Sequence, residues 1–303
     1  MSQVSYPFVS VIIPVYNDNK RLQLCLEALQ NQSYPQTRYE VVVIDNNSTE
    51  IVNDVVSQFE CASLAHEARS GSYVARNTGL SLAKGEIIAF TDADCIPESD
   101  WIKEGVVALN REPNIGLVAG RIDLFAKNPA DPSPFELYES LAMSFPQDRF
   151  LQDKHFGVTA NLFTFKAVLE DVGFFDESLK SGGDLQWGQR VFAKGYKQVY
   201  ADDARVNHPT RDSWEDLRKR SIRIVGGKYD LAKQNSKTSL DLIKDLMICL
   251  KPPFRSFYRI WTDSRLQGIK QKSQFTYVML LLRYVAIRER LRLQLGGGIS
   301  DRG

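Results

Sequence analysis

The chain has 303 residues, 43% of them hydrophobic and 25% charged, with a net charge of +1, enough for one large core or two smaller ones. This composition excludes long disorder and collagen-like classes, and the wide spacing of Cys25, Cys61, Cys95 and Cys249 fits neither a zinc cluster nor a disulfide framework. The charge is uneven: from Arg211 onward 20 Lys/Arg face 9 Asp/Glu, whereas residues 1–210 hold 18 against 28, so an acidic body carries a basic tail.

Residues 8–14 (FVSVIIP) are a β-branched apolar run closed by proline, which predicts a strand buried on both faces. Leu22, Leu26 and Leu29 share one side of a helix over 18–32. Residues 40–44 (EVVVI) predict a second buried strand ended by Asp45-Asn46-Asn47-Ser48, followed by a helix near 50–58 and a short strand near 62–66. Ser72 is the expected N-cap of a helix through Lys84, with Gly85 at its C-terminal end. A third strand over 87–90 runs into Thr91-Asp92-Ala93-Asp94. Residues 126–155, rich in proline and aromatics, read as an irregular insertion or acceptor loop. Helical patterns resume after Asp184, Ser213 and Ser239, and a strand over 198–201 precedes Val206-Asn207-His208-Pro209. Strands alternating with helices predict an α/β fold with a largely parallel, doubly wound sheet. Ligands bind such sheets beyond the carboxyl ends of the strands, where Asp45 and the Asp92/Asp94 pair both fall.

Asp92 and Asp94 flank one alanine at a strand end, where a turn brings both to one hard cation such as Mg2+ or Mn2+. An isolated pair of this kind reads equally well as two solvated turn carboxylates. Asp45 suits a base edge or a ribose hydroxyl, and it also suits a bond to its own backbone in a turn-rich stretch. Asp184 follows Gly182-Gly183, which permit close backbone approach to a substrate. It is either the N-cap of a helix through Ala193 or a general base, since a partly desolvated carboxylate near a second anion has a raised pKa. His208 suits a metal ligand and equally a packed or capping group, whereas His66 and His155 read as structural or surface residues.

Taken in order, these segments resemble the family-two inverting glycosyltransferases of the GT-A fold, over about residues 8–210. The opening strand through Pro14-Val15-Tyr16-Asn17 is similar to the family's base-binding edge, and Asp45 to its nucleobase contact. Ala75-Arg76-Asn77-Thr78-Gly79 is similar to its A-R-N-x-G helix, and Asp92-Ala93-Asp94 to its D-x-D. Asn161 and Gly173-Phe174-Phe175-Asp176 match its acceptor-side segment, and Gly183-Asp184-Leu185-Gln186 with Arg190 and Gly195-Tyr196 its catalytic helix. The resemblance implies a mixed, mostly parallel sheet flanked by helices, in a catalytic domain over 1–235 with a nucleotide-sugar half to about 125 and an acceptor half beyond it. A basic amphipathic helical tail over 236–303 would follow.

The resemblance further implies donor contacts from Pro14, Val15, Tyr16, Asn17, Asp45, Asn47, Arg76, Asn77, Asp92 and Ala93. It implies Mn2+ or Mg2+ held mainly by Asp94 with Asp92 nearby and His208 completing the shell, and acceptor contacts from Asn161, Gly183, Trp187 and Arg190. Asp184 would deprotonate an acceptor hydroxyl that attacks the anomeric carbon with inversion. The implied donor is a nucleotide diphosphate sugar, by resemblance a uridine one. The acceptor would be a saccharide or lipid-linked hydroxyl, in cell-surface polysaccharide or glycolipid synthesis. The chain departs from the family in having Gly183 and Gln186 where glutamates are frequent. It also lacks the Q-x-x-R-W signature of processive polymerases, which favours single transfers; the nearest stretch, 218–224, has no tryptophan.

Residues 240–261 and 275–295 mix apolar and aromatic residues with lysines and arginines. That pattern predicts peripheral contact with a membrane interface, and it also describes a helix packed on a core with solvated arginines. With no basic-then-apolar leader in 1–7 and no apolar run of the ~18 residues that span a bilayer, the expected location is the cytoplasm, at the inner face of the plasma membrane. No nucleic-acid module accompanies the charge, so no nucleic acid is expected as partner. A nucleotidyltransferase shares the sheet and the acids, but the helix over 184–190 argues against it. Against a non-catalytic nucleotide-binding scaffold of polysaccharide assembly stand the intact Asp92, Asp94 and Asp184. No G-x-G-x-x-G follows the first strand, which argues against a dinucleotide oxidoreductase.

Overall fold

The computed structural model describes residues 6–234 and 239–295; the N-terminal leader reading and the end of the basic tail lie largely outside them. In chain order the elements are β1 (Val9–Val15), α1 (Asn19–Gln30), β2 (Tyr39–Asp45), α2 (Asn53–Val56), β3 (Ala62–His66), α3 (Ser72–Leu82), β4 (Ile87–Thr91), β5 (Ile96–Pro97), α4 (Trp101–Leu109) and β6 (Ile115–Phe125). They continue as α5 (Pro134–Ala142), α6 (Gln147–Lys154), β7 (Asn161–Phe165), α7 (Lys166–Val172), α8 (Gly183–Ala193), β8 (Lys197–Pro209), α9 (Trp214–Gln234), α10 (Ser239–Leu250), α11 (Phe254–Thr262) and α12 (Gly268–Gln294).

The strands form one sheet in the order β3-β2-β1-β4-β7-β6-β8-β5. β1 runs parallel to β2 and β4, and β2 to β3. β7 is antiparallel to β4 and β6, and β5 to β8. The sheet is therefore mixed, its parallel part confined to the region that begins the chain. Alternate strand residues face opposite sides. Val9, Val11, Ile13, Val41 and Val43 join Leu22, Leu26 and Leu29 of α1 and Trp101 and Ile102 of α4 in the main core. Val42 and Ile44 pack with Ala75 of α3 on the other side. Each fully buried leucine of α1 contributes about 1.5–3 kcal/mol, which is why its apolar spacing holds that helix to the sheet.

Three local readings change. Ser72 is the first residue of α3 and Gly71 its N-cap, with φ 145° and no capping side chain. Gly85 lies beyond the helix end; a Cβ there would stand 2.5 Å from the Ser10 amide nitrogen and 2.8 Å from the carbonyl oxygens of Phe8 and Ile87. Its missing side chain lets the chain re-enter the sheet. The stretch 126–155 is largely helical, as α5 and α6. α5 opens on a capping box, with Ser133 accepting from the Glu136 amide, Glu136 accepting from the Ser133 amide, and Pro134 at the first helical position.

The described chain divides into two compact units. The first gathers the residues up to Asp123 with Phe145–Ser178 and Gly183–His208; the second holds Leu124–Ser144, Leu179–Gly182 and the residues from Pro209 onward. The second unit thus takes in α5 and α9 with the tail helices, rather than beginning at 236. Within it, Val278 and Leu282 of α12 pack on Leu217 of α9, flanked by Phe135 and Tyr138 of α5. Ile260 of α11 packs on Leu266 and Phe275. Glu139 of α5, with no exposed surface, accepts from the backbone and guanidinium of Arg211 and from Arg220 of α9. Among the described residues no helix is long and apolar enough to cross a membrane.

Candidate functional site

The site belongs to the first unit, at the carboxyl ends of β1, β2 and β4. Register places Val15 beside Asp45 and Ile12 beside Phe90, so the segments after all three strands emerge on the same edge. Two polar clamps shape the loops there. Asn17, in the left-handed region at φ 49°, accepts from the Thr49 amide at 2.7 Å and its hydroxyl at 3.0 Å. The buried Asn46 donates to the carbonyls of Glu67 and Arg69 and accepts from the Gly71 amide, fixing the lead into α3. Tyr16 stays 63% exposed at the edge.

Asp45 fulfils its turn reading through one oxygen, Oδ1, which accepts from the Ser48 amide at 2.9 Å. The other, Oδ2, lies 3.3 Å from His66 Nδ1. His66 sits level with Asp45 because β2 and β3 are parallel and in register. It is exposed, as the sequence predicts, and the common end point of two adjacent strands brings it to Asp45.

Asp92 and Asp94 part company. The turn after β4 closes with the Cys95 amide donating to the Asp92 carbonyl at 3.0 Å. Asp92 Oδ1 is paired with the guanidinium of Arg76 from α3. Arg76 is buried, donates to the Ser72 carbonyl at 3.2 Å, and lies 5.8 Å over the Tyr73 ring. Asp94 Oδ2 faces His208 Nε2 at 3.6 Å. His208 reaches it because β8 pairs with β5, placing Asn207 opposite Ile96 two residues beyond Asp94.

Among the described residues, Asp94, Cys95 and His208 offer ligand atoms within 4.8 Å of one another. Burial first, and then the charges of Asp94 and Asp92, push the Cys95 thiol well above its ordinary pKa, and a thiol sulfur is a softer donor than Mg2+ or Mn2+ prefers. The remaining donors, one carboxylate oxygen and one imidazole nitrogen, fit a divalent ion that keeps positions open for phosphate oxygens.

Asp184 is the second residue of α8, not its N-cap, and is only partly exposed. Its Oδ1 accepts from the Leu185 amide at 2.9 Å and the Tyr73 hydroxyl at 3.3 Å. Burial raises its pKa above the usual carboxylate range, with a smaller push from Asp92, against the Leu185 bond, Arg76 and Tyr73. Tyr73 also explains Gly183: a Cβ there would meet the Tyr73 ring at 2.8 Å. The glycine makes room for the Tyr73 ring. No sequence motif had marked Tyr73.

Several implied contacts are committed elsewhere. Asn161 has no exposed surface; its amide takes the indole N–H of Trp101 and donates to the carbonyls of Arg121 and Ala204. Trp187 is fully buried and donates to the Gly173 carbonyl at 3.0 Å. Arg190 donates to the carbonyls of Val172 and Phe174 beyond α7. Asn161 and Trp187 thus serve the frame of the site, while the half-buried Arg190 holds the end of α7 and Gly183 packs against Tyr73. Asn77 likewise spends both ends of its amide on Phe175, at 2.8 and 3.1 Å.

Comparison with known proteins follows the same lines. The model of the family described as "Glycosyl transferase family 2" matches residues 10–173. Glycosyltransferase AglE of Haloferax volcanii is 37% identical over 230 residues, 74% of each chain. A Methanococcus voltae enzyme is 25% identical over 233 residues, 73% of each chain; it is named dolichyl N-acetyl-alpha-D-glucosaminyl phosphate 3-beta-D-2,3-diacetamido-2,3-dideoxy-beta-D-glucuronosyltransferase. Among solved structures, mannosyltransferase PcManGT from Pyrobaculum calidifontis, in complex with GDP-Man and Mn2+, is similar at TM-score 0.59 and 20% identity, over 97% of this chain and 75% of that one. S. aureus TarS 1–349 in complex with UDP-GlcNAc is similar at TM-score 0.54 and 16% identity, over 96% and 91% of the two chains. These likenesses establish the GT-A fold.

Proposed function

The chain belongs to glycosyl transferase family 2 and transfers glycosyl groups, and from that premise we propose an inverting transfer from a nucleotide diphosphate sugar, preferably a uridine one, to a saccharide or lipid-linked hydroxyl. The observation that carries the reading is a linked set of side chains: Asp184 bonds Tyr73, Tyr73 lies under Arg76, and Arg76 pairs Asp92. It joins a carboxylate of raised pKa to the acid-bearing strand end.

Asp45 and the exposed Tyr16 receive the nucleobase and ribose at the edge built by β1 and β2. Asp94 and His208 would hold a divalent cation, Mn2+ or Mg2+, which would supply positive charge against the departing diphosphate. Arg76 supports the same phosphates while Asp92 fixes its position. Asp184 keeps Oδ1 on the Leu185 amide and Tyr73, and Oδ2 takes the proton of the acceptor hydroxyl. The acceptor oxygen forms its bond to the anomeric carbon as the bond to the diphosphate breaks on the opposite face. General-base help of this kind contributes on the order of 10²–10⁴-fold.

The M. voltae relative's name includes a dolichyl-linked saccharide, which supports a lipid-linked acceptor here. The basic excess from Arg211 onward supports peripheral contact with the cytoplasmic face of a membrane, in cell-surface glycan synthesis. The test of the reaction is the anomeric configuration of the product by NMR, with Asp184→Asn alongside. Inverted product from the parent, and transfer lowered by roughly 10²–10⁴-fold in the variant, is expected; retained configuration, or undiminished transfer by the variant, removes Asp184 from the role of base.

A further inference from the structure

The packing of the second unit leaves an apolar surface that its own core does not use. On α11, Ile260 turns inward onto Leu266 and Phe275. Phe254, Tyr258 and Trp261, at the i, i+4 and i+7 positions of the same helix, form a row on another side and stay 74%, 72% and 46% exposed. Arg255 and Arg259, also exposed, line one flank of that row. A helix with an exposed aromatic row and arginines at its margin has the pattern of a helix lying in a membrane interface.

α12 repeats the arrangement. Phe275, Val278, Leu282 and Val285 are buried, while Tyr277 and Tyr284, spaced one heptad apart, are 61% and 64% exposed. The two helices are neighbours. Lys272 Nζ donates to the Trp261 carbonyl at 2.8 Å, and Arg283 donates to the carbonyls of Cys249 and Lys251. α11 therefore runs antiparallel along one flank of α12, between residues 272 and 283.

We propose that α11 and the outward side of α12 form a docking face for an anionic lipid bilayer, with Phe254, Tyr258 and Trp261 entering the headgroup region and Arg255 and Arg259 meeting lipid phosphates. Charge decides the occupant. Residues 246–295 carry ten Lys/Arg against Asp263 and Glu289 alone, and both acids are already paired, with Arg265 and Arg292. A two-fold contact between copies would set this positive field against itself. A bilayer with anionic headgroups answers both the aromatic row and the charge. The inference rests on and deepens the membrane contact proposed above, and it centres that contact on α11 and the outward side of α12.

The test is flotation of the full chain with vesicles of phosphatidylcholine alone, and with about 30% phosphatidylglycerol added. Nucleoside diphosphate binding is measured by calorimetry on the same preparations. The full chain floats with the anionic vesicles, and Phe254→Ser/Tyr258→Ser/Trp261→Ser lowers its partitioning by roughly tenfold or more. Arg255→Glu/Arg259→Glu causes a similar loss on anionic vesicles only, by roughly tenfold. Both variants change exposed residues, and the same thermal midpoint and nucleotide affinity as the parent show that they fold. Unchanged flotation of both variants, or no flotation of the parent, overturns the proposal. So does a concentration-dependent dimer without vesicle binding that the triple variant abolishes, which gives the face to a second copy. Vesicle binding without nucleotide binding would instead sink the donor-site reading and leave this face standing.

Discussion

Replacing Asp184 by Asn keeps the side chain's size and leaves an oxygen for the Leu185 amide and Tyr73, but removes the carboxylate proposed to take the proton. Transfer falls by roughly 10²–10⁴-fold while donor affinity stays within a few fold. Because burial raises this carboxyl's pKa, the base becomes protonated as pH falls at a higher pH than an exposed aspartate would. The acidic limb of the kcat/KM profile therefore lies above the usual carboxylate range. Tyr73→Phe deletes one bond that lowers the pKa, so it shifts that limb further upward; a downward or absent shift would contradict the assigned contact. The residues show what a motif conveys and what it leaves out. Asp45, Asp92, Asp94 and Asp184 were legible because each stands where an apolar run or a glycine pair ends. The inward turn of Asn161 and Trp187 was not, since a motif gives the residue and not the direction of its side chain.

At the scale of elements, Gly183 and Glu139 carry opposite kinds of constraint. Gly183→Ala pushes a methyl group into the Tyr73 ring at the start of α8, and overpacking there costs about 1–3 kcal/mol in denaturant unfolding. Activity falls with it, because Tyr73 and Asp184 move together. Glu139→Ala strips the carboxylate from the buried Arg220 and from Arg211, and unfolding measurements are expected to show about 3–5 kcal/mol lost. A loss below about 1 kcal/mol would place the α5–α9 clip among surface ion pairs. α5 itself was readable in Ser133-Pro134-Phe135-Glu136, a capping box with proline at the first helical position. The prolines and aromatics around it gave the stretch the look of a loop. β5 and β7 stayed hidden because their partners lie far along the chain, and register is a property of pairs.

For the whole molecule, the apolar strand runs and the helix spacings placed the parallel β3-β2-β1-β4 region, and the motif order pointed to the GT-A fold that the solved structures share. What stayed out of reach was the division into units, because α5 joins α9 and α12 through Phe135, Tyr138 and Leu217, residues some eighty positions apart in sequence. The charge asymmetry read from composition falls on that second unit, whereas the acids proposed to serve the donor, Asp45, Asp92 and Asp94, belong to the first. The central claim concerns the latter: Asp94 and His208 bring a divalent ion to a nucleotide diphosphate sugar. Calorimetric titration of nucleoside diphosphates into the purified chain, with Mn2+ and with chelator, tests it most directly. Binding of one nucleoside diphosphate that needs Mn2+, and that Asp94→Ala weakens about tenfold or more, is the result expected. Binding that is indifferent to chelator and to Asp94→Ala, or no binding to any nucleotide, would contradict it.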